Sequence, residues 1–129
     1  MGFMTKTIIK TSNAPASYGP YSQGVKAGGF IFCAGQGGFD PAAGKNVEGG
    51  IRAQTAQALR NIEAILVAGG SSLEQVVKAT IFLHDWNDFI AMNETFATFF
   101  PNDPPARSTI RGERYPPGAL VAIEAIALA

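Results

Sequence analysis

The sequence predicts an α+β fold in which one mixed β-sheet carries two helices on one face. Three observations point to it. The inferred elements run in the order β-β-β-α-β-α-β-β. Two segments repeat apolar residues at helical spacing, while the others alternate or are rich in β-branched residues. The last segment, ALVAIEAIAL, is apolar on both sides apart from Glu124, so it is expected to lie in a sheet buried on both faces. Two helices cover one face, and contacts between subunits are the natural cover for the other, which predicts a homo-oligomer. The chain has 129 residues, the size of a single domain spanning 1–129.

The elements follow in chain order. Thr5 to Lys10 is expected to form a short strand around Ile8 and Ile9. The stretch TSNAPASYGPYSQG is rich in turn residues and reads as loop. Gln23 to Lys26 and Phe30 to Gly35 flank Gly28-Gly29 and read as a hairpin. Asp40-Pro41 through Gly44 forms a tight turn. A helix is expected from about Val47 to Ala68, where Ile51, Thr55, Ala58, Leu59, Ile62, Ile65 and Leu66 make a buried stripe. Gly69-Gly70 stops it. Val76 to Leu83 is a strand. A second helix covers roughly Asn87 to Phe100, capped by Asp85 or Asn87 and ended by Pro101; its aromatic stripe reads as core. Arg107 to Arg111 and Leu120 to Leu128 complete the sheet.

Composition excludes several functions. Ten Lys and Arg balance ten Asp and Glu, so the chain has no general attraction for nucleic acid or anionic membranes. The start, MGFMTKTIIK, does not read as a secretory leader, and no apolar run approaches the roughly 20 residues that span a bilayer. A cytoplasmic protein is expected. Cys33 is the single cysteine and reads as a core residue. His84, the single histidine, reads as a strand-end residue and cannot form a paired-histidine site. No HExxH, CxxC, GxGxxG or Walker pattern is present, so neither a metal nor a nucleotide cofactor is expected.

Two charged residues stand out. Glu124 is a carboxylate inside an apolar strand, where burial costs several kcal/mol unless the group is paired. It has either a structural partner or a chemical task. Arg107 follows Pro104-Pro105, and Thr109, two residues on, shares its face. A guanidinium presents a planar fork that matches a carboxylate. That carboxylate is either a ligand's or a neighbour's, Glu124 included.

The ordered set NAPASYGPYSQGV, CAGQ, NDF with MNETFATFF, PPARSTI and VAIEAIALA resembles the RidA family, also called YjgF, of reactive-intermediate deaminases. The resemblance covers nearly the whole chain. It implies a chorismate mutase-like fold and a homotrimer with clefts between adjacent subunits. It implies hydrolysis of small carboxylate-bearing enamines or imines, of the 2-aminoacrylate, 2-iminopropanoate and 2-iminobutanoate type, to 2-oxo acids and ammonia without a cofactor. Carried over by residue, it makes Arg107 the carboxylate clamp and Glu124 the group that orients or activates water. Tyr21, Gly35, Gln36, Asn93 and Thr109 become the substrate-binding residues.

The chain departs from the family pattern at three places. Thr109 stands where many members have cysteine, Gly37-Gly38-Phe39 follows the GQ turn, and Arg111-Gly112-Glu113 follows the strand. The second of these is expected to widen the cleft wall. Two other readings compete: a trimer that binds 2-oxo acids without turnover, and a ribonuclease or translation inhibitor, which the neutral charge and single histidine oppose.

Overall fold

The computed structural model of the protein describes residues 5–113 and 116–129. The first four residues of the MGFMTKTIIK segment lie outside them. Among the described residues, eight strands and two α-helices follow in the order β1 (Thr7–Ile9), β2 (Gly24–Ala27), β3 (Phe30–Gln36), β4 (Phe39–Asp40), β5 (Lys45–Asn46), α1 (Gly50–Ala68), β6 (Val76–Leu83), α2 (Phe89–Phe99), β7 (Ala106–Arg111) and β8 (Val121–Leu128). Six strands form one sheet in the order β1-β2-β3-β8-β6-β7, and β4 and β5 pair separately as a small hairpin. The sheet is mixed, because β6 and β7 run parallel whereas β8 is antiparallel to both β3 and β6. The expected α+β architecture is the one observed.

Element boundaries differ from expectation where backbone chemistry overrides side-chain pattern. Helix α1 begins at Gly50 rather than near Val47, because Gly49 and Gly50 have φ of 115° and 76°, outside the helical region. Before them, the Val47 N–H donates to Gly38 O at 2.9 Å, closing the small hairpin. That hairpin was expected only as a tight turn. Asp85 does act as a cap, accepting from Asn87 N at 2.9 Å, but it caps the short 3-10 turn Trp86–Asp88 ahead of α2.

One face of the sheet packs on α1, which meets β3 and β8 and in turn carries α2. The core comprises Ile31, Ile81, Leu83, Val121 and Ile123 from the sheet, against Leu59, Ile62, Ile65 and Leu66 from α1 and Met92 from α2. Along β8 the parity is strict: Val121, Ile123, Ala125 and Ala127 are buried, whereas Ala122, Glu124, Ile126 and Leu128 are not. One chain buries one face of β8, and the face for which contacts between subunits were expected as cover is the open one. The outer face stays open, and it is apolar: Phe30, Phe32, Ile110 and Leu128 are 38–49% exposed. No helix among the described residues is long and apolar enough to cross a membrane.

Gly38 shows how the chain sets its own spacing. A Cβ there would come within 2.6 Å of the Gln54 Cβ and 2.8 Å of its Cα. The glycine lets α1 approach the β3–β4 connection. Gly38→Ala is expected to lower stability by about 1–3 kcal/mol, as overpacking does. Gly35→Ala, whose Cβ would meet nothing within 4 Å, should stay within about 0.5 kcal/mol of wild type. Urea denaturation midpoints of the two variants check both.

Candidate active site

The residues singled out from the sequence fall into two groups on opposite faces of the sheet. Register decides this. Arg107 pairs with Ala79, and Ala79 with Ala125, all on the face that meets the helices. Thr80 pairs with both Ser108 and Glu124, one residue along and therefore on the open face. Arg107 and Glu124 do not meet within one chain, so the reading of Arg107 as the structural partner of Glu124 is overturned. Glu124 is also not buried. It sits on the open face in a shallow depression of about 170 Å³ with Phe32, Lys78, Thr80 and Ile126. Beside it, Lys78 Nζ donates to Ser108 Oγ at 3.0 Å.

Arg107 lies on the edge strand β7. Its Cζ is 5.0 Å from the Phe96 ring centroid and 5.9 Å from that of Phe89. Its guanidinium makes no ion pair and no side-chain hydrogen bond among the described residues. Partial burial holds its pKa below the ordinary guanidinium value, because desolvation disfavours the charged form. A half-buried guanidinium whose N–H donors are not engaged by a described acid has the chemistry to receive a carboxylate. The side chain opens into a pocket of about 290 Å³ that also includes Asn93, Phe100, Pro104 and Pro105. Thr109 shares this face about 6.6 Å along the strand, opposite Ile81. Arg111, further along, is paired with Glu113 at 3.3 Å.

Tyr21, Gly35 and Gln36 come together elsewhere. They line a cavity of about 630 Å³ with Tyr18, Phe39, Pro117 and Ala122. Ala122 lies two residues before Glu124 on the same face of β8, so this cavity adjoins the Glu124 side of the sheet. Tyr21 is half exposed and Gly35 exposed, but Gln36 is buried and serves the wall rather than the opening. Tyr21 Oη is 3.3 Å from the Tyr18 N–H, which donates to it. Of the two glycines expected to widen this wall, Gly37 lines the cavity with Phe39, whereas Gly38 faces α1. The missing side chain at Gly38 makes room for α1.

Three buried amides that the sequence reading passed over hold the cavity together. Asn61 Nδ2 donates to Gly37 O at 3.1 Å and to Phe39 O at 2.8 Å. Gln54 Nε2 donates to Gly118 O, and its Oε1 accepts from Leu120 N, both at 2.8 Å. Gln23 accepts from Thr11 N at 2.7 Å and donates to Pro15 O at 2.7 Å, fixing the loop before Tyr21. Gln54 and Asn61 sit at i and i+7 with Ala58 and Ile65, so two polar residues inside an apolar stripe were the available signal. Gln23 offers no comparable signal. No group of three His, Cys, Asp or Glu side chains converges as metal ligands among the described residues.

A sequence model of the family described as Endoribonuclease L-PSP matches residues 11–129. The chain belongs to this family, the RidA/YjgF proteins. Within the family it is 51% identical over 122 residues to a RutC family protein of Pyrococcus horikoshii, covering 95% of this chain and 97% of that one. It is 42% identical over 128 residues to the 2-iminobutanoate/2-iminopropanoate deaminase of Mus musculus, covering 99% and 95%. Among solved structures, the YjgF gene product of E. coli superposes with a TM-score of 0.89 at 40% identity, covering 95% and 98%. E. coli TdcF with bound serine superposes at 0.90 and 37%, covering 95% and 98%.

Cys33 belongs to the core rather than to the chemistry. It is 6% exposed, and burial pushes its thiol from 9.0 up to about 12. In the unfolded chain it ionises near 9, so the folded form binds more protons between about pH 9 and pH 12. Stability from this group is complete below pH 9 and falls as pH rises through that window. A thiol reagent at pH 8 should leave the native protein unmodified and label one thiol per chain in denaturant; rapid native labelling would contradict the assignment.

Proposed function

We infer that the protein is a deaminase that hydrolyses small 2-imino acids, of the 2-iminobutanoate and 2-iminopropanoate type, to 2-oxo acids and ammonia. The observation that carries this reading is Arg107, a half-buried guanidinium that no acid among the described residues neutralises. The deaminase names of relatives such as the mouse protein support it.

The site is completed by a second copy. Arg107, Thr109 and Asn93 occupy the helix-side face at the β7 edge. Glu124, Tyr21 and Gly35 occupy the open face and its rim. Because one chain holds them apart, the working cleft combines the first group of one subunit with the second group of its neighbour. The apolar open face supplies the surface for that contact, in a homotrimer.

The chemistry then divides between two charges. Arg107 takes the substrate carboxylate through its planar fork and holds positive charge beside the imine carbon. Glu124 positions a water about 3 Å from that carbon. The water oxygen bonds to carbon as the C=N π pair moves to nitrogen, and Glu124 takes the water proton. Glu124 returns that proton to nitrogen, giving the carbinolamine; the hydroxyl proton then passes to the amine through Glu124 as the C–N bond breaks, so that ammonia leaves and the carbonyl of the 2-oxo acid forms. The substrate brings the electrophile, and no step needs an oxidant or reductant.

With freshly generated 2-iminobutanoate, Arg107→Ala should lower kcat/KM by at least about 100-fold, and Arg107→Lys should recover little, because a point charge lacks the fork. Glu124→Gln should lower kcat by about 100-fold with KM little changed, since it removes a group acting on the water. Ammonia and 2-oxobutanoate release measures both. Saturable 2-oxobutanoate binding with no accelerated hydrolysis by the wild type would leave a binding trimer in its place.

A further inference from the structure

We propose that Phe89 and Phe96 are positioning residues, which bracket the Arg107 guanidinium so that its N–H edge, rather than its face, meets the carboxylate. The proposal rests on the reading of Arg107 as a carboxylate site and adds what orients it.

The two rings are seven residues apart on α2, two helical turns and about 10 Å along its axis. They lie on one stripe, with Asn93 between them at i+4 from the first and i−3 from the second. The Arg107 Cζ is 5.9 Å from one centroid and 5.0 Å from the other. The guanidinium therefore contacts both rings at once, each within cation–π range. Each ring is braced in turn. Phe89 stacks on Trp86 at 5.0 Å, and Phe96 on Phe100 at 4.6 Å. Phe96 is 4% exposed and belongs to the core, so the inner of the two rings is held by fixed structure.

This arrangement solves a problem that an acidic partner would not. A carboxylate beside Arg107 would hold the guanidinium but also occupy the donors needed for the ligand. Aromatic faces attract the cation through their quadrupoles while accepting none of its in-plane N–H bonds. The donors stay open, and the long side chain loses its freedom before the ligand arrives. Asn93, on the same stripe and in the same pocket, adds an amide at the open edge.

Phe89 is the ring to change, because it is half-buried and outside the sealed core. Phe89→Leu keeps an apolar side chain and removes the ring face; Phe89→Tyr keeps the face. For Phe89→Leu, the Kd for 2-oxobutanoate and the KM for 2-iminobutanoate are expected to rise roughly tenfold, with kcat within about twofold of wild type. Phe89→Tyr should restore both. In the ligand-free protein, the Arg107 Nε–H resonance should move toward its random-coil position in Phe89→Leu and stay in place in Phe89→Tyr. A loss of melting temperature without movement of Kd or KM would mean a structural role only and would overturn the proposal, as would an unshifted resonance. Binding and resonance are read without turnover. If wild type binds 2-oxobutanoate in this ring-dependent way yet hydrolyses no imine, the deaminase reading fails and this one stands.

Discussion

The alternation of side chains across the sheet sets the constraint on everything else. A strand sends consecutive residues to opposite faces. The register fixes Ala79 beside Arg107 and Thr80 beside Glu124. No rotamer change brings those two charges together across a sheet. Either they act separately or they meet across a contact between copies. The proposed function takes the second course, and the apolar residues Phe30, Phe32, Ile110 and Leu128 on the open face make such a contact favourable.

The helix side does two tasks with one layer. Helix α1 supplies apolar residues to the core and, from the same stripe, the amides of Gln54 and Asn61 to the backbone of the cavity wall. Helix α2 supplies Met92 and Phe96 to the core and the rings that flank Arg107. The α1 amides reach irregular backbone that cannot satisfy its own polar groups, and the α2 rings reach a long side chain on the edge strand β7. Substitutions there are expected to disturb the cleft without touching a ligand.

Much of this was legible in the sequence. The strand-helix order of the six-stranded sheet, the hairpin at Gly28-Gly29, the stop at Gly69-Gly70 and the parity of β8 follow from local pattern, and local pattern is what side-chain periodicity encodes. Arg107 and Thr109 were placed on one face correctly for the same reason. What local pattern does not encode is non-local. Glu124 read as a buried charge because its neighbours along the chain are apolar, but burial depends on what covers a face, and one chain covers only one. The start of α1 was misplaced because the backbone at Gly49 and Gly50, rather than any side chain, sets it. The bracket around Arg107 could not be read at all, since it joins α2 to β7 across the edge of the sheet, and an aromatic stripe on a helix reads equally well as plain core.

The division of the cleft between two copies is tested most directly by mixing two inactive variants. Arg107→Ala and Glu124→Ala, unfolded together in equal amounts and refolded, should regain about a quarter of the wild-type imine hydrolysis, because one contact in four then pairs an intact Arg107 with an intact Glu124. Each variant refolded alone should stay inactive. Mixed assemblies that form but remain as inactive as their parents would contradict the account.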